Sequence, residues 1–175
     1  MKIMRMFSVG LLALVSSYVF AAAPMLHASK TVTINASAAK VWKIARDFDA
    51  LNRWHPAVAT DELLKGKNNV PGAVRKLTLK GGGTIEEHLL RFNDKRRRFK
   101  YEILESVLPV SSYKSTLMVK ATGKNTSKVT WSGHFKRKDL SDHPAANAND
   151  KTAVDTINSV YSAGLDNLKK MAEAQ

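Results

Sequence analysis

Between residues 58 and 138 apolar and polar positions alternate with a period of two, and Gly, Asn, Asp and Pro break the alternation at intervals. This pattern predicts strands near 58–64, 73–80, 84–92, 98–106, 112–121 and 128–137. The breaks are Gly66 to Gly72, Gly81-Gly82-Gly83, Asn93-Asp94-Lys95, a bend at Pro109, and Thr122 to Ser127. Ahead of them Thr31-Val32-Thr33-Ile34 alternates as an edge strand does. Ser37 then stands as an N-cap before a helix that places Val41, Ala45 and Phe48 on one face. That helix must end before Pro56, because the residue preceding a proline is pushed out of the α region, and 49–53 predicts a second short helical turn. From 149 to 174 the period changes to 3.6. Val154, Ile157, Tyr161, Leu165, Leu168 and Met171 form one apolar stripe, the mark of a long amphipathic helix. Residues 139–148, with Pro144 and small polar residues, read as a loop.

The predicted order is one strand, a short helical pair, six antiparallel strands and a long C-terminal helix, an α+β arrangement. A strongly bent seven-stranded sheet wrapped on a long helix leaves a gap between the two layers, where a ligand pocket would form.

The first residues change the picture of where such a domain works. Lys2 and Arg5 precede an uncharged apolar run at 6–20, and Ala21, Ala22 and Ala23 follow it. This is the layout of a secretory signal peptide over residues 1–21, with a second cleavage site after Ala28, leaving a domain at 29–175. The run is short for a membrane span, which takes ~20 apolar residues. There is no cysteine, so disulfides, thiolate chemistry and a lipidated N-terminal Cys are excluded. A composition of 44% hydrophobic and 25% charged residues is that of a globular domain. The formal net charge is +13, and about +11 stays once Lys2 and Arg5 leave with the leader. Such a balance points to nucleic acid inside a cell. Outside the cytoplasm it points instead to an acidic protein, with membrane contact at most peripheral.

Several short phrases carry a resemblance. They are Ala36-Ser37-Ala38-Ala39-Lys40-Val41-Trp42 after the first strand, Trp54-His55-Pro56, Gly83-Thr84-Ile85-Glu86-Glu87, Leu108-Pro109-Val110 with Tyr113, and Val129-Thr130-Trp131. With the element order, they make residues 31–172 resemble the START/Bet v 1-like (SRPBCC) superfamily, which includes polyketide cyclase/dehydratase-like and lipid-transfer-like proteins. The resemblance implies a helix-grip fold around a cavity. Together with the leader, it extends to the exported accessory proteins encoded with methanol dehydrogenase in methylotrophic bacteria. That implies a small apolar ligand and an acidic periplasmic partner such as a dehydrogenase or cytochrome. The other readings it offers are a cyclase/dehydratase-like enzyme, with Glu87 or His55 as acid/base, and a lipid-transfer protein.

Strand alternation nominates the pocket. Val129, Trp131, Gly133 and Phe135 share the inner face of one strand, and Tyr113, Ser115, Leu117 and Val119 that of another. Phe99, Tyr101, Ile103 and Glu105 share a third, Arg75 travels with Leu77 and Leu79, and Glu87 with Ile85 and Leu89. Candidate ligand-binding residues are therefore Arg75, Glu87, Tyr101, Tyr113 and Trp131, with Trp54 and His55 at the mouth. Arg75 and Glu87 could instead pair with each other at the sheet rim, since a charge on an apolar face needs a partner. Glu86 and Glu87 cannot act together, because neighbours on a strand point to opposite faces. Lys95-Arg96-Arg97-Arg98 with Lys100, and Lys136-Arg137-Lys138, are basic clusters; Arg96, Arg97, Arg98 and Lys100 are candidates for docking an acidic partner. Gly81-Gly82-Gly83 lacks the Lys-Ser/Thr and helix of a phosphate loop. The histidines lack metal-ligand spacing, and no cofactor motif is present.

Overall fold

The computed structural model describes residues 23–174; the leader expected at residues 1–21 lies outside them. Seven strands form one antiparallel sheet in the order β1-β7-β6-β5-β4-β3-β2. They are β1 (Leu26–Ile34), β2 (Val58–Lys65), β3 (Val74–Leu79), β4 (Thr84–Asn93), β5 (Arg98–Ser106), β6 (Val110–Gly123) and β7 (Thr126–Arg137). Helix α1 (Ala38–Ala45) and a 3-10 turn (Leu51–Arg53) link β1 to β2, and the long α2 (Asp150–Glu173) closes the chain against the inner face. A further 3-10 turn, Ala146–Ala148, lies in the stretch expected to be loop.

Local chemistry explains the ends. Ser37 caps α1 by accepting the Lys40 N–H at 3.3 Å, and Asn149 caps α2 by accepting the Thr152 N–H at 2.9 Å. Gly82 and Gly83 take φ of 92° and 81° in the β3–β4 turn, a conformation that favours glycine.

β1 is longer than its expected four residues. It pairs with β7 from Leu26↔Phe135 to Ile34↔Ser127, and Ala28 is buried within it. Ala28 and Lys30 hid this extension, since neither reads as a strand former. On α2 the buried face runs through Ala153, Ile157, Tyr161, Gly164, Leu165, Leu168 and Ala172. Val154 and Met171, expected on that stripe, sit at its flank, partly buried. Small residues thus mark the line of closest approach to the sheet.

Bulges decide which side chains look inward. Along β4–β5, Glu86↔Glu105 is followed by Glu87↔Ile103, so Leu104 is an extra residue. The extra residue reverses the alternation beyond it. Glu105, expected on the inner face, is exposed. Along β2–β3, Val58↔Leu79 is followed by Thr60↔Thr78, leaving Ala59 unpaired. That bulge turns Asp61 inward, with its side chain 0% exposed.

Gly164 faces the tightest point. A Cβ there would come within 2.6 Å of His55 Cδ2 and 2.9 Å of Trp131 Cζ3. In an open helix Gly→Ala stabilises by up to about 1 kcal/mol. Gly164→Ala should do the reverse and destabilise by about 1–3 kcal/mol through overpacking, a fall in Tm of roughly 2–4 °C per kcal/mol. Thermal unfolding followed by circular dichroism checks it; a raised Tm would refute the assigned packing.

Candidate functional site

Arg75 on β3 stands in register with Glu87 on β4. Its Nε and Nη2 donate to the same carboxylate oxygen, Glu87 Oε2, at 2.8 and 2.6 Å. Nη1 donates to Asp61 Oδ2 at 3.1 Å and to the main-chain oxygen of Phe48. The guanidinium carbon lies 4.2 Å from the centroid of the Phe48 ring, a cation–π contact. Asp61 Oδ2 also accepts the Leu51 N–H at 2.8 Å, which ties the 3-10 turn to β2.

Burial alone would press Arg75 towards neutrality, but Glu87 and Asp61 outweigh it and hold its pKa above the usual arginine value. Asp61 and Glu87 are both raised, by burial first, with Arg75 opposing. The asymmetry follows from the numbers of charges. One cation faces two carboxylates, so each acid is left partly uncompensated.

A second buried network crosses the sheet to α2. Trp131 Nε1–H donates to Tyr101 Oη at 3.0 Å. The hydroxyls of Tyr101 and Tyr113 lie 3.3 Å apart, those of Tyr113 and Tyr161 2.7 Å, and Tyr161 Oη lies 2.8 Å from Ser115 Oγ. Ser115 donates its one proton to the Ser132 carbonyl at 2.9 Å. Proton counting then fixes every link. Tyr161 must donate to Ser115, Tyr113 to Tyr161, and Tyr101 to Tyr113. The chain runs one way, from an indole N–H to a main-chain carbonyl. Burial raises the pKa of Tyr101 and Tyr113 well above 10, and that of Tyr161 to about 12, so all three keep their protons. The absent side chain of Gly133 makes room, since a Cβ there would come within 2.5 Å of Tyr161 Oη.

His55 is also committed. Its Nδ1 accepts the Ala57 N–H at 3.3 Å, so Nε2 carries the proton and donates to the Val160 carbonyl on α2 at 3.0 Å. Burial, with a smaller push from Arg75, lowers its pKa despite the opposing Val160 contact.

Between sheet and α2 lies a narrow cavity of about 80 Å³. Its polar lining side chains are His55, Glu87, Tyr101, Tyr113 and Trp131; apolar walls include Leu77, Ile85, Ile103 and Ile157. Five of the seven candidate ligand-binding residues, four from strand alternation and His55 from the loop, thus meet at one space. Arg75 and Trp54 do not line it. Arg75 pairs with Glu87, as one expectation had it, but at 2% exposure rather than at a rim. Trp54 is 2% exposed and packs on Trp131 with ring centroids 5.6 Å apart. Neither Trp54 nor His55 is an exposed mouth residue, because α2 covers both. Sequence reasoning missed Asp61, hidden by the Ala59 bulge, and the hydroxyls of Tyr161 and Ser115. Those two were legible as core positions but not as polar ones.

The basic turn is less uniform than its sequence. Arg96, Arg98 and Lys100 are exposed, whereas Arg97 is half-buried with φ of 48°. Asp94, the one acid in the turn, is engaged by Trp42 Nε1 at 2.7 Å and by Arg46 Nη1 at 3.1 Å. Arg98 and Lys100 line a surface groove of about 380 Å³ with Arg91, which sequence reasoning did not nominate.

The model of the family described as polyketide cyclase / dehydrase and lipid transport matches residues 25–173. The chain belongs to that family. Two solved structures are 34% identical to it. A protein described as uncharacterized, from Bacillus thuringiensis, covers 83% of this chain and 98% of its own with a TM-score of 0.72. The protein XoxI from Bacillus cereus covers 83% and 94% with a TM-score of 0.73. An aromatase/cyclase from a Streptomyces species shares the fold at 20% identity and a TM-score of 0.70, covering 86% and 94%. No curated protein matches the chain. The polyketide cyclase / dehydrase resemblance expected from the short phrases therefore holds, as does the helix-grip sheet.

Two measurements check this interior. Tyr161→Phe breaks the hydroxyl chain in a family member whose core it spans and should cost about 1–3 kcal/mol; an unchanged Tm would refute the network. His55 gives a pH signature. A pKa lowered on folding contributes stability that is present above the unfolded value of ~6.5 and lost as pH falls below it. Asp61 and Glu87, raised, act in the opposite sense, but they do so equally in a His55 variant. The Tm advantage of wild type over His55→Gln should therefore shrink between pH 7.5 and pH 5. A constant advantage would show that His55 titrates normally.

Proposed function

We propose that this family member is an exported small-ligand-binding or accessory protein rather than a catalyst, and that its basic turn meets an acidic protein partner. The observation that carries the reading is the narrow, aromatic-walled cavity under α2, whose acid–base candidates are each held in place by protein groups. Both His55 nitrogens are hydrogen-bonded, and Glu87 is clamped by Arg75. Catalysis needs an acid, a base and an orienting group around a reacting atom, and this arrangement weighs against the cyclase-like alternative. The resemblance carried by the short phrases and the leader favours the accessory role, with a dehydrogenase or its cytochrome acceptor, as in methanol oxidation, as the partner. The groups exposed along the turn favour electrostatic encounter, which like-signed clusters accelerate.

Export rests on the leader pattern at residues 1–21, and the pairing of β1 bears on where a leader would be cut. Cleavage after Ala28 would remove Leu26, His27 and Ala28 from their pairing with Phe135, His134 and Gly133. Cleavage after Ala21 would spare all three. The mature protein should therefore begin between Ala22 and Met25. Mass spectrometry of a periplasmic extract measures this, and a full-length mass in the membrane fraction would sink the export reading.

Docking is tested with a purified acidic periplasmic methanol dehydrogenase. Association should weaken steeply with salt, since the screening length falls from ~10 Å at 0.1 M to ~3 Å at 1 M. Reversing Arg96 and Arg98 to Glu should slow association much more than dissociation, with Tm nearly unchanged. Salt-independent binding, or a wild-type on-rate in the reversed protein, would leave the cluster as a solvated turn.

A further inference from the structure

The cavity under α2 has an inventory of hydrogen-bonding groups that can be closed. Four of its lining side chains carry donors: His55, Tyr101, Tyr113 and Trp131. Every one of those protons is already used. His55 gives its proton to Val160, Trp131 to Tyr101, Tyr101 to Tyr113, and Tyr113 to Tyr161. The sense of the hydroxyl chain forbids reversal, because Ser115 donates to a carbonyl that cannot donate back. No side-chain donor is left to meet an acceptor on a ligand.

Acceptors remain. Both Arg75 bonds to Glu87 fall on Oε2, and Oε1 accepts from no group among the described residues. Each tyrosine oxygen that receives one bond keeps a second lone pair. The charge balance has the same sign, since one guanidinium answers two carboxylates, Asp61 and Glu87. The two buried donors and acceptors without partners near this region, Trp54 Nε1 and Asp61 Oδ1, belong to residues outside the cavity lining.

We propose that the cavity takes a small ligand bearing hydrogen-bond donors and no anionic group, foremost a protonated primary amine. Its nitrogen sits on Glu87 Oε1 and its carbon body lies against Leu77, Ile85, Ile103 and Ile157. The inference rests on the ligand-binding reading above and specifies the chemistry of that same site. A carboxylate or phosphate would bring acceptors where only acceptors wait, beside a carboxylate it cannot displace. Size sets a second limit. The volume of about 80 Å³ is roughly half that of an engineered 150 Å³ cavity that admits benzene. It suits a body of about three or four non-hydrogen atoms.

The test compares n-propylammonium, n-propanol and propionate, three probes of similar body, with xenon as a purely apolar one. Methyl resonances of Ile103 and Ile157 report occupancy in the mature protein. Propylammonium should saturate these shifts at a concentration at least about tenfold below n-propanol, the scale of a charge-assisted hydrogen bond. Propionate should produce none. In Glu87→Gln the ammonium should lose that advantage while xenon still binds. Propionate binding as well as the amine, or equal affinity for all three, would overturn the donor rule. If xenon binds under those conditions, the ligand-binding reading survives without it. If none of the four probes shifts either methyl, the binding reading itself falls. Should Glu87→Gln fail to fold, the wild-type series alone decides.

Discussion

Arg75 places a positive charge where only 2% of the residue meets solvent, and a charge so placed must be surrounded by acceptors. Those acceptors come from three separate parts of the chain: Glu87 on β4, Asp61 on β2, and Phe48 after α1, which offers both its carbonyl and its ring. One guanidinium therefore fixes the approach of the helical segment to the free end of the sheet. Ion pairs of this kind add little net stability over apolar packing, yet losing one partner is expensive because the others stay charged and dry. The specificity of the arrangement, not its strength, is what the cavity depends on.

The opposite half of the interior solves the same problem without charge. Three tyrosines, a tryptophan and a serine bury their polar atoms by donating hydrogen bonds along a single line to a carbonyl. Trp131 and Tyr161 stack with ring centroids 4.7 Å apart, so the same residues supply the apolar contact between sheet and helix. The cavity lies where the two solutions meet, with Glu87 and Tyr101 on its wall. Its small volume reflects how many large side chains both solutions require.

The frame of this interior was legible in the sequence because it rests on period. Alternation at 113, 115, 117 and 119, and at 129, 131, 133 and 135, assigns the inner face correctly, since β6 and β7 keep their parity there. Ser37 and Pro56 bracket the first helical segment for reasons local to the backbone. What stayed hidden has one physical cause in three guises. An extra residue at Ala59 or Leu104 reverses parity, and nothing in the residue types announces it. Strict alternation therefore puts Glu105 inside and leaves Asp61 out. Likewise Gly164 and Ala153 carry no hydrophobic signal, although their smallness lets α2 descend onto the sheet. The pairing of Arg75 with Glu87 was legible as a pair, but its depth was not, because depth depends on where α1 and α2 lie.

The Ala59 bulge has a consequence away from the interior. The sheet is open, with β1 and β2 as its two edges, and a straight exposed edge is a template for another chain's backbone. β1 lies beside α2, which leaves β2 as the exposed risk. This strand carries two irregularities in eight residues, Ala59 and a second at Leu64 between the pairs Leu63↔Arg75 and Lys65↔Val74. Each bulge twists the strand and interrupts its regular row of amides, and Glu62 and Lys65 add charge to the same border. The device that turns Asp61 towards Arg75 thus also spoils β2 as a seed for strand-to-strand polymerisation. A single inserted residue serves folding fidelity on one side of the strand and solubility on the other.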